Sequence, residues 1–516
     1  MPDETRRTFT KTLAAGLSAS TFGSQSAAGA APGSKPNILF ICSDQHSWKY
    51  TGYAGHPVVK TPNLDRIAKQ GVVFSNTYCG SPVCTPGRAS MMTGMHASDC
   101  GSYCNSTVWD GSHPTWGTRL RKAGYETRAT GKLDLNDDFD MGFKEVETSH
   151  GHRHGPDITS LFRRPVGYRV GERENVTGSP RDKRHKDAKL TQNAIDFIRN
   201  ESRSAGRPWV QYVGLSQPHP SFVALQKYWD QYPPEAIDLP NVPLDYLDRQ
   251  HLMFQELRHF KRVATPISEK RVRLARRGYY GMITELDEYV GQLWATLEET
   301  GQLENTVFIY TSDHGEMLGE HGLWYKNNLL EPAAHVPLVI AGPGIPKGKT
   351  IDTPVAHIDL IAAMVEWGGA DGNGLRGHSL AGLMSGGSAS HPGFAYTESH
   401  SEGNCTGSFL IRKGDWKYIH FTWYDDLLFN LAEDPGELTN RIDDPQAKPV
   451  LEELRAILKK QVDTEKVTRD AFAKQQAMLD DFARKMSEDE LAKMLQGRLG
   501  KGLARVMAAR ARQAVT

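Results

Sequence analysis

Two apolar runs of strand length set the terms for this chain. Ile38-Leu39-Phe40-Ile41-Cys42 stops at Ser43-Asp44-Gln45, and Val307-Phe308-Ile309-Tyr310-Thr311-Ser312 stops at Asp313-His314-Gly315. Neither run alternates between apolar and polar residues, which is the pattern of a parallel strand covered on both faces. Covering both faces takes helices, and the chain supplies them. TPNLDRIAKQG, LTQNAIDFIRNE and the long RGYYGMITELDEYVGQLWATLEETG all read as amphipathic helices, the first and last stopped by Gly71 and Gly301. VVFSNTYC, PWVQYVGLSQPHPSF and HVPLVIAG read as further strands, and YETRATGKLDL carries Lys132. The expected fold class is α/β, with a large mixed, mostly parallel sheet sandwiched by helices. The carboxyl ends of core strands are where open α/β sheets bind ligands, which places Asp44 and Gln45 at one such end and Asp313 and His314 at another.

At 516 residues the chain is long enough for more than one domain. The body is expected over 35–370. From about Asp371 the segments shorten, and Phe394 to Glu398, Ser408 to Arg412 and Trp416 to Phe421 look like antiparallel strands. A small C-terminal α+β subdomain of four strands is expected over 371–447, then a charged, Ala-rich helical tail over 448–516. Asp137 to Asp187 is rich in His, Arg and Gly with poor periodicity and reads as a long functional insertion or lid, and Asp230 to Lys270 is another excursion, rich in Pro and charge. At the start, Arg6-Arg7 precedes an Ala-rich apolar run and small residues up to Ala30, the layout of a signal peptide, and the paired arginines resemble a twin-arginine export signal. Residues 1–30 are expected to be removed and the protein to be exported, periplasmic or extracellular. No later run is long and apolar enough to span a bilayer.

Lys+Arg and Asp+Glu both total 61, so no global field points to nucleic acid. The basic runs Arg181 to Lys186 and Arg271 to Arg277 could receive a polyanion, although each taken alone reads as a solvated face. Six cysteines do not make a disulfide framework, but Cys100 and Cys104 are close enough in sequence to bridge.

The densest signal is SPVCTPGRASMMTGMHA, from Ser81 to Ala97. Thr85 can cap a helix, Pro86 suits its first position, and Ala89 to Met95 propagate it. Cys84 then stands just before a helix N-terminus, where negative charge is favoured. C-x-P-x-R followed by a small residue, a helix and T-G resembles the modification signature of the type I sulfatases, and the opening order of strand, acidic end, TPNLDRIAKQGVVFSN and C-x-P-x-R is similar to theirs almost block for block. Gly87 stands where Ser or Ala is usual in the signature.

The resemblance implies a mechanism. Cys84 would be oxidised to formylglycine by a formylglycine-generating enzyme, and the hydrated aldehyde would attack sulfur as a covalent nucleophile. Asp44, Gln45, Asp313 and His314, together with the modified Cys84, would form the site of one Ca²⁺, with Mg²⁺ the alternative for such hard oxygen ligands. Arg88 would hold the diol, Lys132 and Lys326 would contact sulfate oxygens, and His219 would protonate the leaving alcohol. The second diol hydroxyl then loses its proton and the hemiacetal expels sulfate, a collapse that a serine or cysteine ester could not undergo. Many family members read G-K-x-H where this chain has Gly131-Lys132-Leu133-Asp134. Either Asp134 takes the base role or a histidine from His150, His152 and His154 swings in. With S-Q-P-H-P, A-A-H-V-P-L and D-P-G-E-L-T-N, that G-K-L-D is similar to the uronate-2-sulfatases of the family, implying a 2-O-sulfated uronic acid of a sulfated polysaccharide as substrate. Choline-sulfatase and phosphonate monoester or phosphodiester hydrolase share the fold and the cysteine chemistry. A non-catalytic carbohydrate-binding relative would leave Cys84 unmodified.

Overall fold

In the computed structural model the described residues are 35–150, 169, 171–203, 206–243, 245–387 and 391–513. The export signal over 1–30, with His152 and His154, lies outside them.

The main sheet has eight strands: β1 (Asn37–Ser43), β2 (Val72–Phe74), β3 (Glu126–Lys132), β4 (Lys144–Ser149), β5 (Trp209–Gly214), β6 (Thr306–Ser312), β7 (Leu338–Ala341) and β8 (Lys349–Ile351). Their spatial order is β8-β2-β7-β6-β1-β5-β3-β4. β7 runs antiparallel to β2 and β6, and the other pairings are parallel. The two apolar runs are the adjacent central strands β1 and β6, and successive residues of β1 enter different cores as a doubly covered strand requires. Ile38 and Phe40 pack with Met91, Met92 and Leu360, while Leu39 and Ile41 pack with Leu286, Tyr289 and Leu293. The first core is closed by helices α1 (Cys84–Thr93) and α3 (His357–Trp367), the second by the long helix α2 (Glu269–Glu299).

Two expected strands are each divided. Within VVFSNTYC, Val72–Phe74 joins the main sheet while Thr77–Tyr78 pairs in a separate three-stranded sheet, and within HVPLVIAG the pair His335–Val336 goes to that same small sheet. A second small sheet, β9 (Phe394–Ser399), β10 (Ser408–Lys413), β11 (Trp416–Phe421) and β12 (Leu427–Asn430), is antiparallel throughout. Helix α4 (Lys448–Gln461) packs Leu451, Leu454 and Leu458 onto Phe409, Ile411 and Tyr418 of this sheet. Helices Thr464–Lys485, Glu488–Leu499 and Lys501–Gln513 follow. Among the described residues no helix is long and apolar enough to cross a membrane.

All six cysteines are free and buried, so the Cys100–Cys104 bridge does not form; Cys100 Sγ instead lies 3.2 Å from Thr93 Oγ1. The basic runs differ: Lys183, Arg184 and Lys186 of the first are exposed, whereas the arginines of the second are mostly engaged within the fold. Arg181 pairs with Glu285 and Arg184 with Glu288, Arg271 bonds backbone carbonyls, Arg273 pairs with Glu269, Arg276 is fully buried between Asp238 and Glu320, and Arg277 lies over Trp229.

Candidate active site

β1 and β6 pair in parallel with Ser43 opposite Ser312, so the residues that follow each strand emerge side by side. The amide N–H of Asp313 donates to the Ser43 carbonyl at 3.1 Å, and the Gln45 N–H donates to Asp313 Oδ1 at 3.1 Å. Gln45 takes a left-handed φ of 71°, uncommon for a residue with a Cβ and tolerated where surrounding contacts over-determine it.

The helix that carries Cys84 begins two residues earlier than its sequence suggests. Val83, not Thr85, is its N-cap, and Cys84 is the first helical residue. The free N–H of Thr85 is satisfied from outside the helix, by Asn105 Oδ1 at 3.1 Å. That puts Cys84 Sγ inside the first turn, 3.3 Å from His314 Nε2, 3.0 Å from Lys326 Nζ and 4.0 Å from Asp44 Oδ1. Gly87 packs against a neighbouring carbonyl so closely that a Cβ there would come 2.6 Å from the Ser81 oxygen. The glycine at this signature position answers to that approach, since backbone cannot yield as a flexible side chain does.

One turn on, Arg88 is fully buried. Its Nε donates to Asp313 Oδ2 at 2.9 Å, and one terminal nitrogen donates to the Lys132 carbonyl at 2.7 Å and the Tyr212 hydroxyl at 2.8 Å. Lys132 at the end of β3 donates to Asp44 and lies 3.1 Å from Asp134. Lys326 also donates to Gln45 Oε1 at 2.8 Å. The Gln45 amide nitrogen is taken by Glu316, which leaves its oxygen to Lys326. His314 Nδ1 faces the Gly315 carbonyl at 3.1 Å and leaves Nε2 toward the thiol. His219 lines the same cavity, its Nδ1 2.7 Å from the Pro220 carbonyl.

Electrostatically the cluster favours anions. Burial and the Asp44 carboxylate push the Cys84 thiol up, but Lys132, Lys326 and His314 outweigh them and bring it well below its ordinary range. Burial likewise opposes ionisation of Asp44, yet Lys132, His219, Lys326 and His314 hold its carboxyl far down. Lys132 is raised despite burial by Asp134 and Asp44, so both lysines next to the thiol stay cationic. One ligand atom each from Asp44, Cys84, Asp313 and His314 lies within 4.8 Å of the others. Two carboxylates, an amide oxygen aimed inward and an imidazole nitrogen form a donor set that fits a hard divalent cation.

The constellation expected from the sequence is therefore brought together: Asp44, Gln45, Cys84, Arg88, Lys132, Asp134, Asp313, His314 and Lys326 form one contact network, with His219 on the cavity wall. His150 is buried 2.7 Å from Glu145 rather than facing Cys84, so its part of the expected histidine cluster is a structural pair. The cavity beside Cys84, about 250 Å³, is completed by residues no motif marked. Arg169, Glu172 and Asn175 come from the aperiodic stretch 137–187, Lys261 from 230–270, and Asn105 and Glu402 from turns. Glu316 followed directly on Asp313-His314-Gly315 and was the one legible addition; Tyr212 is indistinguishable in sequence from any core tyrosine.

This fold and site define a class, and the comparisons place the chain within it. The chain belongs to the sulfatase family: the sulfatase model matches residues 36–370, and that of the N-sulphoglucosamine sulphohydrolase C-terminal region matches 319–464. It is a sulfuric ester hydrolase. Among curated relatives it is 34% identical to the choline-sulfatase of Rhizobium meliloti (strain 1021) over 434 residues, covering 80% of this chain and 83% of that one. It is 32% identical to arylsulfatase K of Danio rerio over 465 residues, 84% of this chain and 85% of that one. Among solved structures it superposes on the phosphonate monoester hydrolase of Agrobacterium radiobacter with a TM-score of 0.70 at 24% identity, covering 83% of this chain and 96% of that one.

Proposed function

We propose that this sulfatase removes a 2-O-sulfate from a uronic acid of a sulfated polysaccharide, after Cys84 has been converted to formylglycine. The observation that carries the reading is the thiol of Cys84 held among Lys326, His314 and Asp44, next to a cavity of single-sugar size. In the mature protein the Sγ position stands for an oxygen of the hydrated aldehyde, which supplies a nucleophile able to release sulfate by collapsing back to the carbonyl. Asp44, Gln45, Asp313 and His314 would hold Ca²⁺ beside residue 84, where the ion supplies Lewis acidity to the ester.

The chain's own residues do the rest. Arg88, fixed by Asp313, Tyr212 and the Lys132 carbonyl, keeps the nucleophile helix in register with the ligand-bearing strand ends. Lys132 and Lys326 place two ammonium groups against the transferring sulfate and stabilise its charge in a water-poor site. His219 stands on the cavity side, where it can deliver a proton to the departing sugar oxygen. Asp134, 3.1 Å from Lys132, takes the place of the usual second histidine by fixing that lysine. Export through an N-terminal twin-arginine signal would let Cys84 be modified before the folded protein leaves the cytoplasm.

Two measurements test this together. The mass of the peptide carrying Cys84 should be that of the aldehyde; a thiol mass in fully active protein would refute the mechanism. Turnover should be higher on a 2-O-sulfated uronate disaccharide than on choline sulfate or an aryl phosphodiester; the reverse order would reassign the substrate.

A further inference from the structure

Around the sulfate-binding lysine the chain builds a second cationic position. Tyr325 and Asn327, the neighbours of Lys326, both take left-handed backbone angles, φ 67° and 80°. The Asn327 N–H is tied to the Pro82 carbonyl at 3.1 Å, in the segment leading into the nucleophile helix. This contorted tripeptide sends Lys326 toward Cys84 and turns its two flanking side chains onto a different lysine. Asn327 Oδ1 accepts from Lys261 Nζ at 2.7 Å, and the same ammonium lies 5.1 Å from the centre of the Tyr325 ring.

Lys261 is 1% exposed and lines the cavity beside Cys84, yet among the described residues it has no carboxylate within ion-pair distance. The nearby acids are committed elsewhere. Glu402 accepts from Arg169 at 3.1 Å, from Asn105 at 2.6 Å and from Asn327 at 2.9 Å, and Glu172 lies 3.6 Å from Arg169. Burial accordingly brings the Lys261 ammonium down to about 8 against the opposing pull of Glu172. A buried cation without a counter-ion is costly, and an anionic ligand in the cavity would supply one.

Resting on the sulfatase reading above, we propose that Lys261, presented by Asn327 and Tyr325, is the subsite for a carboxylate on the same sugar ring that carries the scissile sulfate. The cavity is below the usual size of ligand pockets, with room for one ring rather than two. An acid group on that ring is then within reach of Lys261 while its sulfate lies at Lys326, whereas the trimethylammonium of choline sulfate would face a cation.

The test compares the wild type with Lys261→Met and Lys261→Arg. Each is assayed on a 2-O-sulfated glucuronate disaccharide and its carboxyl-reduced counterpart, and for inhibition of 4-nitrophenyl sulfate turnover by D-glucuronate and D-glucose. The expected result is that Lys261→Met loses about tenfold more kcat/KM on the acid than on the reduced sugar, the scale of one charge-assisted contact. Glucuronate should inhibit the wild type competitively, Lys261→Met several-fold less, and Lys261→Arg nearly as well as wild type. If neither disaccharide is turned over but glucuronate inhibition still depends on Lys261, the subsite stands and the substrate reading falls. Equal losses on acid and reduced sugar, or glucuronate inhibition unchanged in Lys261→Met, overturn the subsite.

Discussion

Arg88 and Asp313 form an ion pair at 2.9 Å with both side chains fully buried, and it joins the helix that carries Cys84 to the strand end that carries two of the candidate metal ligands. The residues are 225 apart in sequence. Such a pair adds little over a well-packed apolar substitute, but removing one partner strands the other charge in the interior. Arg88→Met is therefore expected to destabilise the protein by about 3–5 kcal/mol, with loss of turnover in whatever folds. Calorimetry and assay of the soluble fraction check this; a variant with wild-type melting would show that water reaches Asp313.

His219 carries its own signature if it protonates the leaving group. A sugar hydroxyl is a poor leaving group and needs the proton, while nitrophenolate does not. His219→Ala should lower kcat on a sugar sulfate by ~10²–10⁴-fold, the usual range for a general acid, and affect 4-nitrophenyl sulfate far less. Equal losses on both esters would remove His219 from that role and leave it a wall of the cavity.

Metal removal should be reversible. With the ion stripped by chelation, Lys132 and Lys326 still compensate Asp44, so the fold is expected to survive while turnover falls at least ~10-fold, as befits loss of a Lewis acid. Ca²⁺ should restore it and raise the melting temperature in a concentration-dependent way, because the ion binds the folded state. Full turnover in protein shown free of metal by elemental analysis would defeat the assignment.

Acid stability has a traceable source in Glu398. Burial raises its carboxyl, but His400, His96 and the Ser98 N–H overcome this and hold it at about 2, against an ordinary 4.5. Between those values the unfolded chain takes up a proton that the folded protein does not, so stability is present above pH 4.5 and is lost as pH falls toward 2. The contribution is on the order of 3 kcal/mol. Denaturant titrations at pH 6 and pH 3 should show the wild type losing more stability than Glu398→Gln over that interval; parallel losses would locate the acid sensitivity elsewhere.

Much of this site was written locally. The unbroken apolar runs require strands covered on both faces, and their abrupt acidic ends place Asp44, Gln45, Asp313 and His314 at one edge of a parallel sheet. The cysteine signature and the helix after it carry the reaction class without help from the fold. Caps and chain paths were less legible: Thr85 is the better capping residue by type, yet Val83 takes the position because Asn105 satisfies the exposed amide from outside. Whether Cys100 and Cys104 bridged, and whether the basic runs faced solvent, also depended on packing.

What tertiary structure alone decided is the wall of the cavity beside Cys84. Arg169 lies in a stretch without periodicity, and Lys261 follows the amphipathic helix Leu252–Phe260, whose pattern orients the helix but not the lysine that caps it. They reach the cavity only because Glu402 and Asn327, 233 and 66 residues away, hold them there. Periodicity and capping arise among neighbours a turn or two apart and can be read from a chain, whereas a buried charge finds its partner through the whole packed interior. The strand-end cluster around Cys84 is therefore legible in the sequence, and the lining of the cavity beside it depends on the fold.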